Sequence, residues 1–280
     1  AHEKVFTPEP RIFFTVFLWI FLINLIPVSV NSNGVIITVP DDYTSIGEAI
    51  DNASEGDTIF VKSGVYQENM AYNEALSIHK GLTLIGEDPL TTIIDAHGKY
   101  WGFFIYAEDV NVTGFTVFNA SIAGVVAWKG STISDCIIHD CDTNGLQISD
   151  VKTFHEKSGI LIDNCTIYNV DKGLKSRFSD NFTVLNCVMF NSTIGLEVTY
   201  SSDFLLEGCR VHDCNADGIS LYVTSNSTIK DCQSHENSDD GIYLGSSKNI
   251  KISNCEFNNN TGEGFYTWMG NHIKVEDTNA

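Results

Sequence analysis

The sequence predicts an all-β fold, a single-stranded parallel β-solenoid of about nine or ten coils with a short capping α-helix at its N-terminal end. Two observations carry this. A phrase of the form apolar-x-[Asn/Asp/Gly]-Cys, a polar turn, then Gly-apolar-x-apolar returns through the C-terminal half. Its cysteines are Cys136, Cys165, Cys187, Cys209, Cys232 and Cys255, and the last four steps between them are 22, 22, 23 and 23 residues. The glycines of the same phrase, Gly145, Gly173, Gly195, Gly218, Gly241 and Gly264, keep pace with them. A coil of this kind cannot bury its apolar face alone, so stacking on its neighbours must supply the core.

The elements follow in chain order. Residues 1–32 read as a signal peptide or an N-terminal membrane anchor. Lys4 and Arg11 precede an apolar run from Ile12 to Val30 broken only by Thr15, Asn24, Pro27 and Ser29. The run is long enough to reach across a bilayer, while Pro27 and the small polar flank favour cleavage. Both readings put the rest of the chain outside the cytoplasm, as a secreted or cell-envelope protein that meets a membrane only through this segment.

Residues 33–108 are expected to form the cap and first coils. Val35 to Val39 reads as a strand. Ser45-Ile-Gly-Glu48 reads as a capping box, and Ile46, Ala49, Ile50 and Ala53 form one apolar helical stripe. This helix would plug the first coil, whose open edges otherwise invite aggregation. Strands are expected at Thr58–Val61, Val65–Glu68, Leu82–Ile85 and Thr92–Asp95. Residues 109–280 hold the regular coils. One is longer: 20 residues separate Gly145 from Cys165, against 14 in the next four Gly-to-Cys intervals. The surplus lies near 151–158 and must loop out of the stack, where binding residues often sit.

Charge narrows the function. The net charge is -20, and Arg177 and Arg210 are the only arginines after residue 32. Such a surface repels nucleic acid. The six repeat cysteines occupy one equivalent position per coil. They are expected to stack as a ladder of buried thiols, with neighbours about 4.8 Å apart, rather than to form disulfides. Cys141 and Cys214 lie three coils apart and are not expected to pair.

Three stretches carry a family resemblance: Tyr43-Thr-Ser-Ile-Gly-Glu-Ala-Ile50, Ile59-Phe-Val-Lys-Ser-Gly-Val-Tyr-Gln-Glu68 and Leu82-Thr-Leu-Ile-Gly-Glu87. Together they resemble the first coils of pectinesterase-like right-handed parallel β-helices. The later repeats resemble β-helix repeats of the carbohydrate-binding and sugar-hydrolase type, including the NosD-like family. The resemblance implies a right-handed parallel β-helix and leaves activity open, because such repeats serve many surface proteins. The pectinesterase motifs Gly-x-Gln-Ala, Asp-Phe-Ile-Phe-Gly and Leu-Gly-Arg-Pro-Trp are absent, so that mechanism is not implied.

Three clusters are candidates for chemistry. Asp217, Asp240 and Glu263 precede the repeat glycine in successive coils, and Asp239 adds a fourth carboxylate. Stacked acids of this kind suit Ca²⁺, or resemble the paired acids of polygalacturonase-type hydrolases with Asp217 and Asp240 catalytic; Asp before Gly is also an ordinary turn residue. The Gly-His-Gly and Arg-Ile-Lys partners of the polygalacturonase pattern are missing. The second cluster is an outward face of Gln147, Lys175, Arg177 and Glu197, with His155 and Glu156 on the long loop nearby. Lys175 or Arg177 there could act as the base of a polyuronate lyase, or could be a solvated pair. The third is a column of His139, Tyr168, Phe190, His212, His235 and Asn258, readable as a stacking ladder or as ligands of copper or zinc.

The reading that follows is an extracytoplasmic module that presents this face, with Tyr222, Tyr243, Tyr266 and Trp268 as stacking groups, to glycans or surface proteins without catalysis. Alternatives are a polysaccharide lyase or glycoside hydrolase, and a NosD-like periplasmic metal-maturation protein. Eight Asn-x-Ser/Thr sites, at Asn52, Asn111, Asn119, Asn164, Asn181, Asn191, Asn226 and Asn259, are compatible with a glycosylated surface.

Overall fold

Three short alternating segments per coil build three parallel sheets around one apolar interior. The structure, a computed structural model, describes residues 34–68, 74–128, 130–149 and 159–280. The N-terminal segment 1–32, and the insertion at 151–158 with His155 and Glu156, lie outside the described residues. Among these, the three sheets have eleven, eight and nine strands, and every strand pair is parallel. A typical coil runs from Thr183–Leu185 on the eleven-stranded face, through Val188–Phe190 on the eight-stranded face, to Ile194–Thr199 on the nine-stranded face. No helix among the described residues is long and apolar enough to cross a membrane.

Register explains the core. Ile133, Ile162, Val184, Leu206, Ile229 and Ile252 are successive partners on the eleven-stranded face, all buried. The repeat cysteines follow each of them by three residues and are equally buried, so they share one internal column. Each thiol donates to the carbonyl two residues earlier, as Cys187 Sγ does to Leu185 O at 3.1 Å and Cys232 Sγ to Lys230 O at 3.2 Å. All eight cysteines are free, including Cys141 and Cys214. The nine-stranded face supplies two inner columns, one of them Leu146, Leu174, Leu196, Ile219 and Ile242. In the other, Ser176 interrupts a run of aliphatic side chains, and its buried hydroxyl meets no partner.

The cap helix spans Ile46–Asn52 and buries Ile46, Ala49 and Ile50 toward the first coil. Ser45 is its N-cap and accepts from the Glu48 N–H, one half of the expected capping box. The other half is replaced, because the Glu48 carboxylate accepts from Thr44 Oγ1 instead.

Candidate functional site

Outward residues of the nine-stranded face hold most of the candidate side chains. One outer column runs Phe104, Val126, Gln147, Lys175, Glu197, Ser220, Tyr243, Tyr266. Two residues further along each strand, a second column runs Arg177, Thr199, Tyr222, Gly245, Trp268. Gln147, Lys175 and Glu197 are therefore direct neighbours on three consecutive strands, with Arg177 beside them. The Arg177 guanidinium lies 4.8 Å from the Phe178 ring centre and 5.6 Å from that of Tyr200.

At the C-terminal end of the same face, Asp217, Asp239, Asp240, Tyr243, Thr261, Gly262, Glu263 and Tyr266 line a cleft of about 520 Å³. The Tyr243 and Tyr266 rings stack at 5.8 Å with 23° between planes. Tyr222 and Tyr243 are half-buried, since both fold over Gly245, whereas Tyr266 and Trp268 are exposed. Asp217, Asp239 and Asp240 bring ligand oxygens within 4.8 Å of one another. Glu263 lines the cleft without joining that set, and its own N–H donates to Asp240 Oδ1 at 2.8 Å. Asp217 Oδ1 likewise accepts the Asp240 N–H at 3.4 Å, so both acids tie one coil to the next. Burial pushes the Asp217 carboxyl up to about 6, reinforced by the charges of Asp239 and Asp240 and opposed by hydrogen bonds from Ser220 and the Asp240 N–H. Burial also raises Asp240.

The third column is a stack of rings. Phe118, His139, Tyr168, Phe190, His212 and His235 lie face to face at 4.9–5.5 Å with 1–13° between planes. Imidazole lone pairs lie in the ring plane, so stacked histidines do not aim them at a shared ion. Both nitrogens of His235 are also engaged: Nδ1 with Glu236 at 3.3 Å, and Nε2 as acceptor from Arg210 Nε at 3.1 Å.

Two features of this surface are not visible in the repeat phrase. Near the N-terminal coils, Trp101, Phe104, Tyr106 and Trp128 form an aromatic cluster on the outside of the nine-stranded face, with ring centres 4.1–5.3 Å apart. Phe104 and Val126 point outward yet are buried beneath it. In the turn that leaves the same face, Phe178, Tyr200, Val223 and Met269 adopt left-handed backbone, with φ of 57°, 52°, 54° and 56°. Bulky residues in that region cost on the order of 1–3 kcal/mol each. A 22–23-residue recurrence of apolar residues just after the third strand is the sequence signal that would have found them.

Comparison with known proteins now adds to this geometry. A family model described as right handed beta helix region matches residues 123–280. The chain belongs to this family. The β-helix also resembles solved structures. XylC in complex with xylose has a TM-score of 0.67 at 13% identity, over 86% of this chain and 69% of that one. Pectate lyase Pel9A has a TM-score of 0.61 at 13% identity, over 89% and 79%. The A-module of the Azotobacter vinelandii mannuronan C-5 epimerase AlgE4 has a TM-score of 0.60 at 19% identity, over 83% and 77%. At these identities the likeness is one of fold. A search of curated proteins found no match.

Proposed function

We propose that this β-helix is a secreted or cell-envelope module that holds an extracellular glycan on the outer side of its nine-stranded face without cleaving it. The observation that carries this is the stacked pair Tyr243 and Tyr266 beside a cleft lined by Asp217, Asp239, Asp240 and Glu263. Tyrosine rings offer flat apolar faces to the C–H side of a sugar, and carboxylates accept hydrogen bonds from its hydroxyls. Solved β-helices of similar shape, one of them in complex with xylose and others named for pectate and mannuronan, support a glycan as the ligand. The net charge of -20 argues against nucleic acid. The secreted or envelope location is supported by the apolar run 12–30 alone.

One observation favours a second reading, a glycoside hydrolase. Burial pushes the Asp217 carboxyl up to about 6 beside Asp239 and Asp240, and neighbouring carboxyls in different environments are the equipment of glycosidic cleavage. One oxygen from each acid lies within 4.8 Å of the others, which leaves less room between the acids than the roughly 6.5–9.5 Å an inverting pair keeps for its water.

A glycan array followed by calorimetry tests both, with and without Ca²⁺ because the carboxylates are ligands of the type calcium takes. The expected result is binding with neither new reducing ends nor unsaturated-uronate absorbance, and at least about a tenfold loss in Tyr243→Ala and Tyr266→Ala. Reducing ends that vanish in Asp217→Asn would establish the hydrolase instead. Absence of binding to every glycan overturns both readings.

A further inference from the structure

The turn between the nine-stranded and eleven-stranded faces carries side chains that the fold does not require. Its first left-handed position is occupied in five successive coils by Phe178, Tyr200, Val223, Ser246 and Met269, and its second by Asn181, Asp203, Asn226, Asn249 and His272. At the left-handed positions of the other two turns the same coils use Asn186, Gly208, Asp231, Asn254 and Asp277, or Asn169, Asn191, Asp213, Glu236 and Asn259. Asn, Asp and Gly tolerate this backbone, whereas bulky and above all β-branched residues crowd it. No core contact repays the crowding, because Phe178, Tyr200, Val223 and Met269 are 56%, 43%, 38% and 70% exposed. Instead the first two pack on each other along the surface. The Phe178 and Tyr200 rings stack at 5.1 Å under the Arg177 guanidinium, and Tyr200 meets Tyr222 edge-on at 6.1 Å. Exposed Trp268 precedes Met269. The row is a ridge parallel to the solenoid axis, one apolar group per coil, interrupted at Ser246.

We propose that this ridge is a second recognition surface, and that it receives an uncharged, extended polysaccharide lying along the axis with one sugar per coil, an inference that rests on the glycan-binding reading above. Spacing supports it. Neighbouring coils are about 4.8 Å apart, and an extended β-linked hexose polymer advances by close to that distance per sugar, so each ring can meet an equivalent apolar group. Charge supports it too. The chain carries -20, and the basic group on the ridge, Arg177, is already laid over two rings, so a polyanion is repelled and a neutral polymer is not.

The test uses the full chain with neutral cello-, xylo- and manno-oligosaccharides and with polygalacturonate as probes. Val223→Asn removes the crowding and is expected to raise Tm by about 2–4 °C. The double variant Phe178→Asn/Tyr200→Asn is expected to weaken binding of a neutral oligosaccharide at least about tenfold, and polygalacturonate is expected not to bind. A lowered Tm in Val223→Asn overturns the idea that the ridge is kept against the needs of the fold. Unchanged affinity in the double variant, with loss in Tyr243→Ala, overturns the ridge and leaves the glycan face standing. Failure of the unaltered chain to bind any glycan overturns both. Self-association of the unaltered chain in sedimentation that disappears in the double variant assigns the ridge to a second copy and overturns the polysaccharide.

Discussion

Glu68 anchors the cap helix through Ile46. Its Oε1 accepts the Ile46 N–H at 2.8 Å, and its other oxygen accepts that of Gly47 at 3.3 Å. At the opposite end, Lys80 Nζ donates to the carbonyls of Ile50, Asp51 and Ala53 at 3.0, 2.8 and 2.7 Å. A helix of seven residues does not persist alone. Here an acid closes its positive end and a base its negative end, the arrangement the helix dipole favours.

Glu68→Ala is therefore expected to leave two buried N–H groups without an acceptor. The cost is about 1–3 kcal/mol, and thermal melts should show Tm falling further than in Glu68→Gln, which keeps one acceptor oxygen. Equal melting of the two variants would mean that the carboxylate does not hold the helix.

Asp217 gives a pH prediction with a definite sign. Its folded-state pKa is raised from 3.8 to about 6, so the folded chain binds the proton more tightly than the unfolded chain. Its contribution to stability is complete below about pH 3.8, falls as pH rises through the window from 3.8 to 6, and is lost above it. Asp217→Asn keeps an oxygen for the Asp240 N–H and has no charge to bury. In chelator-containing buffer the variant should melt with the unaltered protein at pH 4 and above it at pH 7. A difference of the same size at both pH values would show that proton binding at Asp217 is not its source.

The fold was legible because its requirements are periodic. One cysteine and one glycine per coil report the internal column and the tight corner, and the ring ladder from His139 to His235 could be read from spacing alone. The ridge shares that spacing, but its conformation was not legible, since Phe178, Tyr200 and Val223 are poor turn residues and nothing in their identity signals left-handed backbone. The Trp101–Phe104 cluster was missed for a different reason. The early coils lack the cysteine phrase, and an outward apolar residue looks like an inward one in sequence. The Asn-x-Ser/Thr sites also take on a physical meaning. Asn119, Asn164, Asn181, Asn191, Asn226 and Asn259 all have positive φ, so turn chemistry accounts for most of them without glycosylation. Among the candidate groupings, Gln147, Lys175 and Glu197 followed from alternation, whereas the convergence of Asp239 with Asp217 and Asp240 depends on the path of the turn.

The thiol column predicts chemical silence. All eight cysteines are buried and free. Burial pushes Cys141 and Cys214 up to about 11, and the neighbouring Cys187 sulfur, with burial, pushes Cys209 up to about 12. Thiolate is the reactive form and each of the eight cysteines is at most 3% exposed, so an aromatic disulfide reagent should titrate no thiol rapidly in the folded chain at pH 8 and all eight after denaturation. Rapid reaction of any of the eight in the native protein would place that residue outside the interior.

The repeat glycines make the sharpest test of the coil geometry, because their reason for being glycine is proximity rather than backbone angle. A Cβ on Gly195 would overlap Val211 Cγ1 and sit 2.8 Å from Gly218 O and 3.2 Å from Cys214 Sγ. The first contact crosses the interior to the eight-stranded face, and the second is the backbone of the next coil, so neither can yield without spreading the stack. Gly98 is the opposite case: φ is 74° and nothing lies within 4 Å of an added Cβ. Gly195→Ala should cost about 1–3 kcal/mol, as overpacking does, seen as a lower urea midpoint at unchanged slope. Gly98→Asn should cost only a few tenths, because Asn accepts left-handed backbone. If Gly195→Ala proved as mild as Gly98→Asn, the two faces would not meet at that corner, and the neighbour relations that place Lys175, Asp217 and Tyr243 on one surface would need to be redrawn.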